Sequence, residues 1–394
     1  MYKKKKEKFL VAMSGGVDSS VAAALLVEQG YDVTGAFMVN YNGQPPTNDE
    51  QGTNCWHSDY QDALRVAAKL GIPLMKLDFT KEYREMVLDY MYKEYNVGRT
   101  PNPDVMCNKF IKFGVWLDKA KEMGFDKLAT GHYASLREEF RISNFKFQNK
   151  LKNLNSKADP QVASYQLRVA KDSNKDQTYF LHQLNQEQLS HVLFPIGDYT
   201  KQQVRELAKK FDLPTAEKEE SMGICFVGEV PMKEFLKDKV KAKPGNIVMS
   251  DGTVIGKHEG LAFYTIGQRN IGISDQGSVI RDRMSKPLFV VDKHLDTNEL
   301  VVGYEDDPLL YKKEIEVGEV NWTGGQEPIF PLKCEVRLRH RQPMQNAKIT
   351  QARQHDSTTI LRVEFGEPQR AVTPGQFAVF YKDGKCLGGG VIEK

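Results

Sequence analysis

Apolar positions in the first third of the chain alternate between two rhythms. Short continuous runs at 9–13, 32–39, 73–79 and 127–133 have the length and composition of buried strands. Between them, apolar residues recur at helical spacing over 19–29, 58–70, 81–95 and 108–123, and Gly30 and Gly71 close the first two helices. Strands alternating with helices in this way predict an α/β domain, a doubly wound parallel sheet with its ligand crevice at the carboxyl ends of the strands. Residues 138–160 (EEFRISNFKFQNKLKNLNSKADP) are rich in Asn and Lys without an apolar period and are expected to form a mobile surface insertion. A strand is expected near 164–170. Helices are expected near 177–192 and 200–211, with Pro195-Ile196-Gly197 between them. From about residue 245 the helical rhythm stops. Short apolar runs punctuated by Asp251-Gly252, Gly256, Gly303 and Asp383-Gly384 read as small β domains or barrels. The expected division is 1–227, 228–308 and 309–394, the last a β-barrel.

Length and charge narrow this picture little. A chain of 394 residues is too long for one core, and 55 basic against 52 acidic residues leave +3, too mild to identify a nucleic-acid partner. Evidence for such a partner has to be local. The longest apolar runs fall far short of the roughly 20 residues of a membrane span, so no membrane association is expected. Lys3 to Lys6 before Phe9–Met13 imitate a signal peptide, but the apolar part is too short, and the lysines read as a solvated tail. Five widely spaced cysteines, with no Cys-x-x-Cys pair and no His at ligand spacing, make neither a disulfide framework nor a zinc site. A reducing cytoplasm fits them best.

The chemistry starts at Ser14-Gly15-Gly16-Val17-Asp18-Ser19-Ser20, between the first strand and the first helix. Two glycines let backbone N–H groups approach an anion closely, and the following helix aims its positive end at the same point. The serines add hydroxyls, and Asp18 could hold a magnesium ion on the phosphates. No Lys follows Gly16 as it would in a Walker A loop, so γ-phosphoryl transfer is disfavoured.

Cys107 follows Thr100-Pro101-Asn102-Pro103-Asp104-Val105-Met106. If a helix starts near Asn108, the thiol sits at its positive end with Lys109 and Lys112 nearby, which would lower its pKa; Asp104 is placed for acid or base work. A small buried hydrophobe is the competing reading. Cys225, in Glu220-Ser221-Met222-Gly223-Ile224-Cys225-Phe226, likewise suits a hinge, a short strand or core packing. In Cys334-Glu335-Val336-Arg337-Leu338-Arg339-His340-Arg341 the period of two puts three guanidinium groups on one strand face, either to track phosphates or as a solvated face.

SGGVDSS resembles the PP-loop of ATP pyrophosphatases. Together with TPNPDVMCNKFIKF and ESMGICFVGE it resembles the signature segments of the bacterial tRNA-specific 2-thiouridylases (the MnmA family). Ala129-Thr130-Gly131-His132-Tyr133-Ala134, Asn174 to Phe180, Tyr264 to Arg269 and Ala371 to Gln376 have family counterparts in the same order, so the resemblance spans nearly the whole chain. It departs at Ala12, where glycine is usual, at Phe110 and Phe377, and in the length of the insertion. The resemblance implies an ATP-dependent 2-thiolation of the wobble uridine in a tRNA anticodon. It implies Cys107, Cys225 and Asp104 as catalytic residues, and ATP held by Ala12, Met13, Ser14, Gly15, Gly16, Val17, Asp18, Ser19, Met38 and Gly131. The tRNA would be contacted by Asn102, Pro103, Asp104, Lys175, Asp176, Gln177, Arg339 and His340. Magnesium would accompany ATP, and an upstream sulfur carrier or cysteine desulfurase would load Cys225 as a persulfide. A monomer is expected, with no resident metal site.

Overall fold

A computed structural model describes residues 6–41, 56–141, 162–219, 232–237, 239–269, 271, 286–355 and 358–393. Strands β1 (Lys8–Ala12), β2 (Asp32–Val39), β3 (Leu74–Asp78) and β4 (Lys127–Thr130) are followed by a hairpin of β5 (Ser135–Arg141) and β6 (Val162–Arg168), then by the short β7 (Val192–Leu193). The first sheet runs β3-β2-β1-β4-β7 and is parallel throughout. Its order reverses between β1 and β4, which opens a crevice beyond their carboxyl ends. Both faces are covered, and the period of two sorts the side chains. Leu10, Ala36, Met38 and Leu128 enter one core, while Phe9, Val11, Phe37, Val39 and Ala129 enter the other. Helix α1 (Val17–Glu28), α2 (His57–Leu70) and the helix Lys201–Lys210 cover the second core, and an aromatic-rich helical layer between Thr80 and Glu122 covers the first.

Four strands, β8 (Gly245–Met249), β9 (Val254–His258), β10 (Phe289–His294) and β11 (Glu299–Gly303), form a small sheet in the order β10-β11-β8-β9. Strands β12 (Tyr311–Trp322), β13 (Leu332–Arg337), β14 (Gln345–His355), β15 (Thr358–Arg370), β16 (Phe377–Lys382) and β17 (Lys385–Ile392) follow. They close into a six-stranded barrel, because β12 pairs with both β15 and β17. The barrel and the parallel-sheet domain share a core. Along β16, Ala378 and Phe380 face the barrel interior, whereas Phe377, Val379 and Tyr381 join Leu10 and Trp116 in the first core. That double burial explains why β16 reads as an unbroken apolar run.

Three expectations need correction. The first four residues assigned to a mobile insertion, 138–141, belong to β5, which pairs along its whole length with β6; the rest of that segment, 142–160, lies outside the described residues. The single helix expected over 177–192 is two short ones, Thr178–Leu181 and Gln186–Ser190, the second started by a capping box from Asn185 and Gln188. The helix expected at 108 begins at Pro103, because Asn102 caps it and proline pre-sets the first helical φ.

Candidate functional site

Beyond β1 the chain turns at Gly15, whose φ is +75° and whose missing Cβ would lie 2.1 Å from the Asp59 carbonyl oxygen. Only glycine fits there. Gly16 caps α1 with no side-chain hydrogen bond, so the helix presents its first N–H groups without a built-in acceptor. The loop is braced from within. Ser14 N–H donates to Ser19 Oγ at 3.2 Å, and the Ser19 and Ser20 hydroxyls donate to the Gly16 carbonyl at 3.1 and 2.7 Å. Gly131, beyond β4, closes the crevice from the other side: a Cβ there would sit 2.6 Å from Ser19 N. Met13 and Val17 are buried in the second core, and Ala12 packs against the first. Met38, near the carboxyl end of β2, is 1% exposed and packs in the first core.

Two lysines absent from the expected site neutralise the acids around the loop. Lys201 Nζ lies 2.8 and 2.9 Å from the two carboxylate oxygens of Asp18, and the Tyr133 hydroxyl donates to Asp18 Oδ1 at 2.9 Å. Lys218 Nζ donates to Asp59 at 2.7 Å, to Asp62 at 2.6 Å and to the Gly15 carbonyl at 3.1 Å. Burial pulls the Lys218 pKa down, but its hydrogen bonds to the two carboxylates outweigh this and raise it. These partners lie about 160 to 200 positions apart, and no sequence spacing announces them. Beside Gly131, burial and the nearby Lys112 push the His132 pKa well below its ordinary value, and its Nδ1 is 2.7 Å from the Thr130 hydroxyl.

Cys107 lies one turn inside its helix rather than at its positive end, so the expected end effect does not apply as stated. The thiol is 1% exposed and 3.9 Å from Asn40 Nδ2, immediately beyond β2, which puts it at the same edge of the sheet as the phosphate loop. Lys109 donates to Gln183 Oε1 at 3.0 Å, and burial lowers its pKa. From Cys107 to Val115 the helix is wound as a π-helix, and Gly114 departs from helical dihedrals altogether. Asn102, Pro103 and Asp104 are half-buried at its start. Cys225 lies outside the described residues.

The residues expected to meet RNA divide in two. Lys175 and Gln177 are half-buried, and Gln177 is tied to Tyr133 by backbone and side-chain hydrogen bonds of 2.8 and 2.9 Å. Asp176 points inward. Its carboxylate accepts from Arg337 at 2.9 Å, from the Thr178 hydroxyl at 2.8 Å and from Ala170 N–H at 3.0 Å. The expected face of three guanidinium groups is therefore corrected: β13 ends at Arg337, which is buried against Asp176, and only Arg339 and Arg341 emerge beyond it. Arg339 anchors one Nη on the carbonyls of Ile266 and Ala371 while the side chain stays exposed. His340 donates from Nε2 to the Asp176 carbonyl at 3.1 Å and packs on Phe180.

A family model described as "tRNA methyl transferase HUP domain" matches residues 7–229. "tRNA methyl transferase PRC-barrel domain" matches 233–304, and "Aminomethyltransferase beta-barrel domain" matches 312–392. A protein of Alkaliphilus oremlandii named tRNA-specific 2-thiouridylase MnmA is 44% identical over 99% of this chain and 98% of its own length. Proteins with the same name from Halalkalibacterium halodurans and Shouchella clausii are 45% and 43% identical, over 98% and 100% of this chain and 94% and 98% of theirs. Identity at this level, sustained through all three structural units, establishes that the chain belongs to the tRNA-specific 2-thiouridylase family.

Proposed function

We propose that this protein catalyses the ATP-dependent 2-thiolation of the wobble uridine in the anticodon of tRNA. The observation that carries the reading is a juxtaposition at one sheet edge. The uncapped anion loop follows β1, and the Cys107 thiol stands beside Asn40 beyond the adjacent β2. Strands in such a sheet lie about 5 Å apart, so an activated base and a thiol can meet there.

The target uridine leaves its stack and is held by Asn102, Pro103 and Asp104. Its 2-carbonyl oxygen attacks the α-phosphorus of ATP. Pyrophosphate departs into the loop, where the N–H groups of α1 and the Lys201 ammonium receive its charge. Magnesium entering with ATP would supply further charge neutralisation, and Asp18, whose carboxylate faces Lys201 Nζ at 2.8 and 2.9 Å, would hold it with Lys201 passing from that carboxylate to the pyrophosphate. The terminal sulfur of a Cys225 persulfide adds to C2, and AMP leaves with the former carbonyl oxygen. Cys107 thiolate then attacks the inner sulfur of that adduct. The C2 sulfur keeps the bonding pair as a thiocarbonyl, and a Cys107–Cys225 disulfide remains for an external reductant to open. A sulfur carrier or cysteine desulfurase supplies the persulfide, and the protein works as a monomer in the cytoplasm. Among the described residues no helix is long and apolar enough to cross a membrane.

The test is anaerobic: protein, magnesium ATP, a sulfide source and unmodified tRNA, with pyrophosphate release and sulfur at the wobble uridine followed together. The reading requires tRNA-dependent pyrophosphate and base-bound sulfur in equal amounts. Methyl transfer, which the matched family description names, would need neither ATP cleavage nor sulfur. Cys225→Ser should abolish persulfide-dependent thiolation and leave tRNA binding intact; loss of binding in that variant would refute the role given to Cys225.

A further inference from the structure

Asn40 is the first residue beyond β2, and the chain ahead of it is locked. Val39 lies in register with Asp78, and its carbonyl accepts from Phe79 N–H at 2.8 Å. The Asn40 side chain is 1% exposed. One end of its carboxamide is used, Nδ2 lying 3.9 Å from Cys107 Sγ, within reach of a hydrogen bond to sulfur. The other end is not: among the described residues Oδ1 has no donor. Asn108, the residue after Cys107, is 4% exposed and repeats the pattern. Its Nδ2 donates to the Asp104 carbonyl at 3.0 Å, and its Oδ1 is also buried without a donor. An acceptor sealed from water and left unpaired is costly, and folded proteins retain few of them. Two such oxygens, one on the side chain that meets the thiol and one on the residue after it, mark a place that an incoming N–H donor would complete.

We infer that Asn40 is a further catalytic residue and a determinant of base choice: its Nδ2 donates to the Cys107 sulfur as that becomes a thiolate, and its Oδ1 accepts the N3–H of the target uracil. This rests on the function proposed above. A carboxamide suits both tasks. A thiolate only accepts, which turns the nitrogen toward sulfur and leaves the oxygen for a donor. The donor nearest this chemistry is N3–H, since N3 is bonded to the C2 whose sulfur Cys107 sets free. When the 2-carbonyl oxygen attacks phosphorus, positive charge builds over that oxygen, C2 and N3. An acceptor on N3–H strengthens as the charge grows, so it lowers the barrier as well as holding the base. Cytosine carries a lone pair at N3 in place of the hydrogen, and the same oxygen repels it.

The experiment uses the full chain with Asn40→Asp, Asn40→Leu and Asn40→Ala. The aspartate keeps the shape and an acceptor but loses the donor to sulfur. Leucine and alanine lose both, and the smaller of them guards against a side chain that does not fit. Iodoacetamide labelling of Cys107 across roughly pH 6–10, read by peptide mass, should move its midpoint up by about one pH unit in all three, because a lost donor disfavours the thiolate. Affinity for anticodon stem-loops with uridine or cytidine at the wobble position should favour uridine in the unaltered protein and in Asn40→Asp. In Asn40→Leu and Asn40→Ala that preference should shrink about tenfold. Labelling needs neither RNA nor turnover, so it reads the contact with Cys107 even if the unaltered protein thiolates no tRNA and the functional reading falls. An unmoved midpoint would refute donation to Cys107. An undiminished uridine preference in the leucine and alanine variants, or a raised KM for ATP in its place, would turn the oxygen away from the base and overturn the inference.

Discussion

Replacing Asp176 by Ala separates two roles that sequence resemblance and structure assign to one residue. As an RNA contact, its loss would weaken tRNA binding and leave the fold alone. In the structure the carboxylate is 1% exposed and the Arg337 side chain 8% exposed, and they meet at 2.9 Å. Removing one partner of such a pair strands the other charge in the interior, which costs roughly 3–5 kcal/mol. The Ala170 N–H and the Thr178 hydroxyl lose an acceptor at the same time. For a cooperative unit of about 200 residues each kcal/mol is worth roughly 2–4 °C in Tm, so Asp176→Ala should lower the first calorimetric transition by on the order of 10 °C. Arg337→Met in the same chain should recover most of the loss, since exchanging a whole buried pair for apolar atoms is often close to neutral. Scanning calorimetry of the two variants, with tRNA binding measured by filter retention well below the transition, decides the matter. An unchanged Tm with weakened tRNA binding would show that the carboxylate faces the RNA and refute the argument from burial.

Other perturbations follow from the same geometry. Gly131→Ala drives a Cβ to 2.6 Å from Ser19 N and should cut tRNA-dependent pyrophosphate release by about a hundredfold; full activity would mean that β4 does not close the loop. Lys218→Met leaves Asp59 and Asp62 uncompensated beside the phosphate site, so KM for ATP should rise severalfold and fall back with added salt, as steady-state assays at two ionic strengths would show. Burial holds the His182 pKa down to about 3, against 6.5 for an ordinary histidine. Below pH 6.5 the unfolded chain therefore binds a proton that the folded chain refuses, and stability falls as pH drops through the window from 6.5 toward 3. The slope is at most about 1.4 kcal/mol per pH unit for this one group. Urea midpoints at pH 7.5 and 5.5 should diverge less in His182→Gln than in the unaltered protein.

Much of this was legible in the sequence where the signal is local. The alternation of strand and helix in the first third, the anion loop at its switch point and the turn to β structure after residue 245 all follow from period and punctuation. The start of the Cys107 helix was legible too, in Asn102-Pro103, a cap followed by a first-turn proline, but the proline-rich run masked it as a loop. The face of three arginines failed for a different reason. Period two assigns sides only while the strand lasts, and β13 stops at Arg337, whose partner Asp176 is 161 positions away. The same holds for Lys201 on Asp18, 183 positions distant. Charge in a sequence is visible; its partner is visible only after the chain has folded back.

Gln376, just ahead of β16, donates its amide nitrogen to the Thr100 and Pro101 carbonyls at 2.9 and 3.0 Å, and this contact between barrel and cysteine helix has a consequence for the life of the nascent chain. Its two sides are 276 positions apart, and a ribosome adding roughly 5–20 residues per second needs on the order of tens of seconds to cover that interval. During that time the sheet and its phosphate loop can form, while the cysteine helix lacks the residues that fix its entry. The order of synthesis thus keeps the glycine loop and the Cys107 helix from being finished together until the barrel strand has emerged, so a chain abandoned partway along its message would carry the loop without the barrel residues that hold the start of that helix.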